Sequence, residues 1–226
     1  MHDDLGKIQM PTDHVLIESL CESIASKYNV LGQERVCFAV DGLKLMLEQS
    51  SDCVIQERFY NGWTHDHYVT NVFTFAPNGT IVDMVINGPG NMHDSTLALY
   101  GGVYDRLEKF YDYYDVKAVV DSAFMSVKMP NLIQSAQTTA HNATARDLLM
   151  HAEATSVRQM AEWGMRGLQG SFPRLKDRFI YEERGERAVV LQLLPRLYNM
   201  RVNMIGINQI RSTYMPHLSI EAQDYI

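Results

Sequence analysis

The stretch that most narrows what this chain can fold into runs from residue 65 to 88, HDHYVTNVFTFAPNGTIVDMVING. Two β-rich runs, 65–77 and 81–88, flank Asn78-Gly79. That dipeptide tolerates the positive φ angles of tight hairpin turns, so the two runs are expected to pair antiparallel. A third β-rich run, ERVCFAVD, precedes them and reads as ending at Asp41, with Gly42 after it. Three strands joined by short turns make an antiparallel meander. Such a sheet needs a covered face to be stable, and the rest of the chain offers helices for that purpose.

Residues 14–28 carry apolar side chains at 15, 16, 20, 24 and 28, close to helical spacing. HDSTLALYGGVYDRLEKFYDYY (93–114) reads as one helix, capped near Asp94 or Ser95, with Leu97, Tyr100, Val103, Tyr104 and Leu107 along one side. VKAVVDSAF follows it and supplies a fourth strand. A strand reached by a helical crossover is expected to run parallel to a central strand. NLIQSA (131–136) is a short fifth strand, and from about 142 the pattern is helical. Its clearest part is 153–172, where Val157, Ala161, Gly164, Met165, Leu168 and Phe172 form a stripe. Residues 187–211 read as a last helix that Pro195 must start, break or kink. The expected fold is one α/β domain over 31–226, preceded by a helical lead-in over 1–30. Its sheet is mixed and five-stranded, an antiparallel meander plus parallel strands, flanked by helices. That is the element order of the ribonuclease-H-like fold.

Composition removes several classes of function. No apolar run approaches the roughly 18 to 20 residues of a membrane span. The first residues, MHDDLGKIQMPTDHV, are polar and acidic, unlike a signal peptide. The three cysteines, 21, 37 and 53, form no CxxC pair, which argues for reduced intracellular thiols and against a zinc knuckle. The net charge of -7 counts against autonomous nucleic-acid binding, whose affinity comes largely from phosphate contacts. It does not count against a metal-dependent nuclease domain, where acids gather at the site and another module holds the DNA.

Acids recur at places where chemistry could use them. Asp41 closes one expected strand and Asp121 another. If those strands pair in parallel, both carboxylates stand at the same end of the sheet. An acid at the end of a buried strand must be paired, protonated or bound to metal. Glu162 sits on the flank of the helical stripe, within reach of the sheet edge. Carboxylates are hard ligands suited to Mg²⁺ or Mn²⁺. Two such ions about 3.5 to 4 Å apart are the arrangement that cleaves phosphodiesters. Each residue also has a plainer reading. Asp41-Gly42 suits a turn, and Asp121 suits a cap. Glu162 has Arg158 and Arg166 four residues to either side for surface ion pairs. His93-Asp94 fits a helix cap first and an accessory site second. The HDH at 65 and MHDS at 92 give no spacing that makes a four-ligand phosphohydrolase centre.

The motifs FAVDGLKL, FYNGWTHDHYVTNVFTFAPNGTIV, NGPGNMHDST, VVDSAF and ATSVRQMAEWGMRGLQGSFPRLK, in this order, resemble the catalytic domain of PIF/Harbinger-type transposases, which are DDE superfamily endonucleases. The resemblance spans about residues 30–212. It implies that Asp41, Asp121 and Glu162 are the three catalytic, metal-binding acids; His93 and Asp94 lie outside that triad, with helix capping as their first reading and an accessory role as their second. The family's PGSxHDS segment appears here as PGNMHDS, with Asn in place of Ser.

By the same resemblance the chain is a DNA endonuclease or transposase that uses two Mg²⁺ or Mn²⁺ ions. Its substrate is double-stranded DNA, its setting the nucleus, and a homo-oligomer is compatible with the family. Members usually carry an N-terminal helix-turn-helix region. Only about 30 residues, acidic in balance, precede the first motif here, so a separate DNA-binding module or partner protein is expected. Two other readings stay open: a domesticated, catalytically silent domain serving as a nuclear protein-interaction module, and a nuclease acting on RNA–DNA hybrids.

Overall fold

The computed structural model describes residues 5–124, 129–135, 143–180, 184–206 and 208–216. Ala136, at the end of the expected fifth strand, residue 142 and the end of the chain from 217 lie outside them.

One mixed sheet runs through the centre. Strand β1 (Val36–Met46) is followed by helix α2 (Cys53–Phe59), which comes after α1 (His14–Ala25) in chain order, and by the short β2 (Tyr60–Asn61). Then come β3 (Asp66–Phe75) and β4 (Ile81–Pro89). β3 pairs antiparallel with both β1 and β4. On the other side of β1 lie β5 (Lys117–Val120) and β6 (Leu132–Gln134), both parallel. The fold is therefore the expected mixed α/β sheet flanked by helices, consistent with the ribonuclease-H-like fold. The strand count is six rather than five, because β2 adds two residues against the start of β3. Two residues carry no alternation that a sequence pattern could display.

The hairpin at Asn78-Gly79 forms as its residues dictate. Gly79 takes φ 87°, and Asn78 Oδ1 accepts from the Thr80 N–H at 3.1 Å. The link from β1 to β3, by contrast, is no short turn, since α2 and β2 are built into it.

Strand alternation puts Cys37, Ala39 and Asp41 on one face of β1, and Phe38, Val40 and Gly42 on the other. The second face is covered by α3 (Asp94–Tyr100) and α4 (Val103–Tyr114); Phe38 meets Phe110 edge-on at 5.2 Å between ring centroids. The expected single helix over 93–114 is thus two, divided at Gly101-Gly102, where Gly102 takes φ 68°. A left-handed residue cannot sit inside a right-handed helix.

The first face is covered by α1 and by α5 (Ala145–Ser171). Thr144 and Asp147 form a reciprocal capping box at the start of α5. Ala154, Val157, Met160, Ala161, Gly164 and Leu168 bury its inner stripe. Glu153 is also buried, and its carboxylate accepts from the N–H groups of Asn29, Val30 and Leu31 at 3.1, 3.0 and 2.7 Å. These bonds and the stripe together fix the rotation of α5, and hence where Arg158 and Glu162 point. The expected last helix is also two: α6 (Arg184–Ile205), which passes through Pro195, and α7 (Gln209–Tyr214), separated at Gly206 with φ 71°. Among the described residues no helix is long and apolar enough to cross a membrane.

Candidate active site

β1 does not stop at Asp41. It continues to Met46, paired with β3 through Asp41↔Phe73 and Gly42↔Val72. A turn at Asp41-Gly42 is therefore excluded. What ends here is the parallel neighbour: β5 stops at Val120, which lies opposite Val40. Asp121 leaves the sheet beside Asp41, in the notch where β1 has lost its partner. It enters a 3₁₀ turn, Ser122–Phe124, and its Oδ1 accepts from the Ser122 N–H at 2.6 Å. Asp121 does cap locally, and it does so at the mouth of that notch.

Glu162 approaches from α5 with its side chain about one-third exposed. Its partner is Arg158, one turn earlier, at 2.6 Å from Nη2 to Oε1. The same guanidinium reaches β1, with Nη1 3.3 Å from Asp41 Oδ2. The i,i+4 pair expected from the sequence is present, but it is not confined to the outer surface of the helix. Glu162 stands on the same side of the sheet as Asp41 and is joined to it through Arg158. Arg166 is exposed.

Asp94 departs most from its expected role. The N-cap of α3 is His93, which is exposed and makes no side-chain capping bond; Asp94 is the first helical residue. Its carboxylate packs against Gly42 instead. A Cβ built on Gly42 would lie 2.3 Å from Asp94 Oδ2, so only glycine permits this approach. Asp94 therefore arrives from the face opposite to Asp41, at the same level of β1. Its Oδ1 is buried and has no hydrogen-bond partner among the described residues. With β1 running through Gly42, the contact follows a general rule: a glycine inside a strand often marks a close approach.

The charges press on one another. Burial raises the Asp41 pKa to about 6; the Gly42 N–H and Arg158 pull it back, while Asp121 and Asp94 push it further up. Burial also raises Asp94, opposed by Lys44 and His93 and reinforced by Asp121. At Asp41 burial outweighs an ion pair, because its carboxylate is 14% exposed and the guanidinium lies at a long 3.3 Å.

For a divalent cation the donors fit in kind. Asp41 on β1, Asp121 just beyond β5 and Glu162 on α5 offer hard oxygens on one side, and Asp94 on α3 offers them from the other face; the unpartnered Asp94 Oδ1 is the sort of atom that a cation satisfies. What lies between Asp41 and Glu162, however, is a guanidinium. Among the described residues no group of three or more His, Cys, Asp or Glu side chains is gathered closely enough to hold a metal ion.

In comparisons with known proteins, a family model described as DDE superfamily endonuclease matches residues 40–199. That span includes Asp41, Asp94, Asp121, Arg158 and Glu162. Searches of curated proteins and of solved structures returned no match.

Proposed function

The chain belongs to the DDE superfamily endonucleases, and from that premise we propose that it is the catalytic domain of a PIF/Harbinger-type transposase that cuts and joins DNA strands at Asp41, Asp121 and Glu162. The observation that carries this reading is the register Val40↔Val120, which sets Asp41 beside Asp121 while Arg158 draws Glu162 to the same notch. Two Mg²⁺ or Mn²⁺ ions bound there would activate the attacking oxygen and stabilise the leaving one. Asp41 is held rigidly by an eleven-residue strand and sets the position of the site. Asp121, at the open end of β5, and Glu162, on a long side chain from α5, supply the more adaptable carboxylates. The substrate is double-stranded DNA, first attacked by water and then joined through the freed 3′-hydroxyl. A separate module or partner supplies most of the grip on the duplex.

The test is metal-dependent nicking of labelled duplex DNA, read beside the melting temperature with and without the ion. Clustered carboxylates repel one another when empty, so millimolar Mg²⁺ or Mn²⁺ should raise the melting temperature of the wild type. The triple change Asp41→Asn, Asp121→Asn, Glu162→Gln should abolish that rise, and Asp121→Asn alone should abolish nicking. Absence of any metal-dependent shift in the wild type would refute the metal site. A second reading is a domesticated, silent domain that delivers or holds a partner protein. It is favoured by the guanidinium seated between Asp41 and Glu162. A wild-type chain that takes up the ion yet never nicks would support it.

A further inference from the structure

Arg158 touches both Asp41 on β1 and Glu162 on α5. An ordinary i,i+4 ion pair on a helix has no reason to span two elements, and it contributes little to stability. Arg158 is different in two respects. Its side chain is 23% exposed, so it is largely enclosed. Its two Nη atoms are divided between the two acids, Nη2 at 2.6 Å from Glu162 and Nη1 at 3.3 Å from Asp41. A guanidinium and a divalent cation draw on the same oxygens, and both cannot take the same ones in full.

We propose that Arg158 is a positioning residue that serves as the built-in counter-ion of this site, holding Asp41 and Glu162 together in the metal-free chain and releasing Glu162 when a divalent cation binds. The proposal rests on the reading of Asp41, Asp121 and Glu162 as the metal-binding acids. Glu162 is the acid to be released because its side chain is long, partly exposed and carried on a helix, whereas Asp41 is fixed within a strand. The arrangement holds these acids near one another without a metal: the guanidinium covers Asp41 and Glu162, and Lys44 lies near Asp94 on the other face. Arg158 therefore opposes the ion it makes room for, and it sets the concentration at which the ion enters.

The experiment is Mn²⁺ binding to the whole 226-residue chain by titration calorimetry, with melting curves in EDTA alongside. Wild type, Arg158→Ala, Arg158→Lys, Arg166→Ala and Arg158→Ala/Glu162→Gln are compared. Arg166→Ala removes an equal charge one turn beyond Glu162 and controls for long-range electrostatics. Arg158→Ala should bind Mn²⁺ about fivefold tighter than wild type while melting lower in EDTA. Arg158→Lys, which keeps the charge but not the fork, should fall between them. Arg166→Ala should bind as wild type does, and the double variant should lose the gain. A purely structural arginine would lower stability without tightening the metal, so tighter binding separates the two roles. If wild type binds Mn²⁺ and Arg158→Ala binds it equally or more weakly, the counter-ion role is overturned and the metal site stands. The role is overturned in the same way if Arg166→Ala tightens binding as much as Arg158→Ala does. If no form of the chain binds Mn²⁺, the metal-binding reading itself falls, and this inference falls with it. Should Arg158→Ala fail to fold, Arg158→Lys carries the test, and its failing to tighten Mn²⁺ overturns the role.

Discussion

At the scale of single residues, burial is the main pressure on the acids of the candidate site, and Asp41 shows its effect. Burial lifts its pKa to about 6, above the 3.8 of an unfolded chain. A group raised in this way binds its proton more tightly when folded. Its contribution to stability is fully present below pH 3.8 and is lost as the pH rises through about 6. The loss is on the order of 3 kcal/mol. Asp41→Asn has no proton to lose, so in EDTA its melting temperature should gain on that of the wild type as the pH goes from 4 to 7. Taking the difference between the two proteins cancels the opposite trend from acids such as Asp66, whose pKa is lowered by Arg178. If the two melting temperatures keep a constant separation over that range, the buried carboxylate of Asp41 is not the strained group. Legibility at this scale was uneven. The three acids could be marked from strand and helix pattern, since those patterns fix which side a residue faces. Asp94 reads as a cap in sequence because capping is local, whereas its contact with Gly42 joins residues 52 positions apart. Arg158 was visible only as a neighbour of Glu162, because the reach to Asp41 depends on how α5 lies across the sheet.

At the scale of elements, the position of α5 decides whether the acids meet. At Gly164 it approaches the sheet closely: a Cβ there would lie 2.2 Å from the ring of Phe75. Phe75 pairs with Ala39, two residues before Asp41 on the same face of β1. Gly164→Ala should therefore push the helix off the sheet and carry Arg158 and Glu162 with it. Overpacking of this kind costs about 1 to 3 kcal/mol, although the better helix propensity of alanine returns a part of it. The melting temperature should drop and the response to Mn²⁺ should weaken. Phe75→Leu in the same chain should recover much of both by making room. A Gly164→Ala variant that keeps full stability and full metal response would show that α5 is free to shift. The stripe that includes Gly164 was legible because 3.6-residue periodicity records which face is buried. The breaks at Gly102 and Gly206 were not, since a positive φ depends on the neighbouring chain as much as on glycine itself. Nor was the continuation of β1 through Asp41-Gly42, where a turn-forming dipeptide is held extended by eight consecutive pairings with β3. Tertiary pairing overrides local preference there.

At the scale of the molecule, the charge balance bears on how the chain could engage DNA at all. It carries 27 acidic and 20 basic residues. Several of the basic ones are already committed within the fold: Arg35 to Glu18, Arg106 to Asp83, Lys117 to Glu34 and Arg178 to Asp66. A site built from carboxylates repels the phosphate backbone until cations are present. Grip must then come from the remaining exposed arginines, among them Arg166 and Arg201, which line one cleft with Trp163 and Tyr198. Contacts of that kind read phosphates and not bases, so they confer little preference for sequence. The isolated chain should bind duplex DNA weakly. Its affinity should fall with salt in proportion to the phosphates contacted, at about 0.9 in the logarithmic slope for each. Fluorescence anisotropy with several unrelated duplexes between about 50 and 300 mM salt would measure both terms. Divalent ions should strengthen binding to all sequences alike, because they remove repulsion without adding a reading head. Attaching a basic DNA-binding module should add affinity and sequence preference while leaving any Mn²⁺ response of the proposed site unchanged. Tight binding to a single sequence that survives high salt would contradict this picture, and would mean that the folded domain itself carries a surface that reads bases.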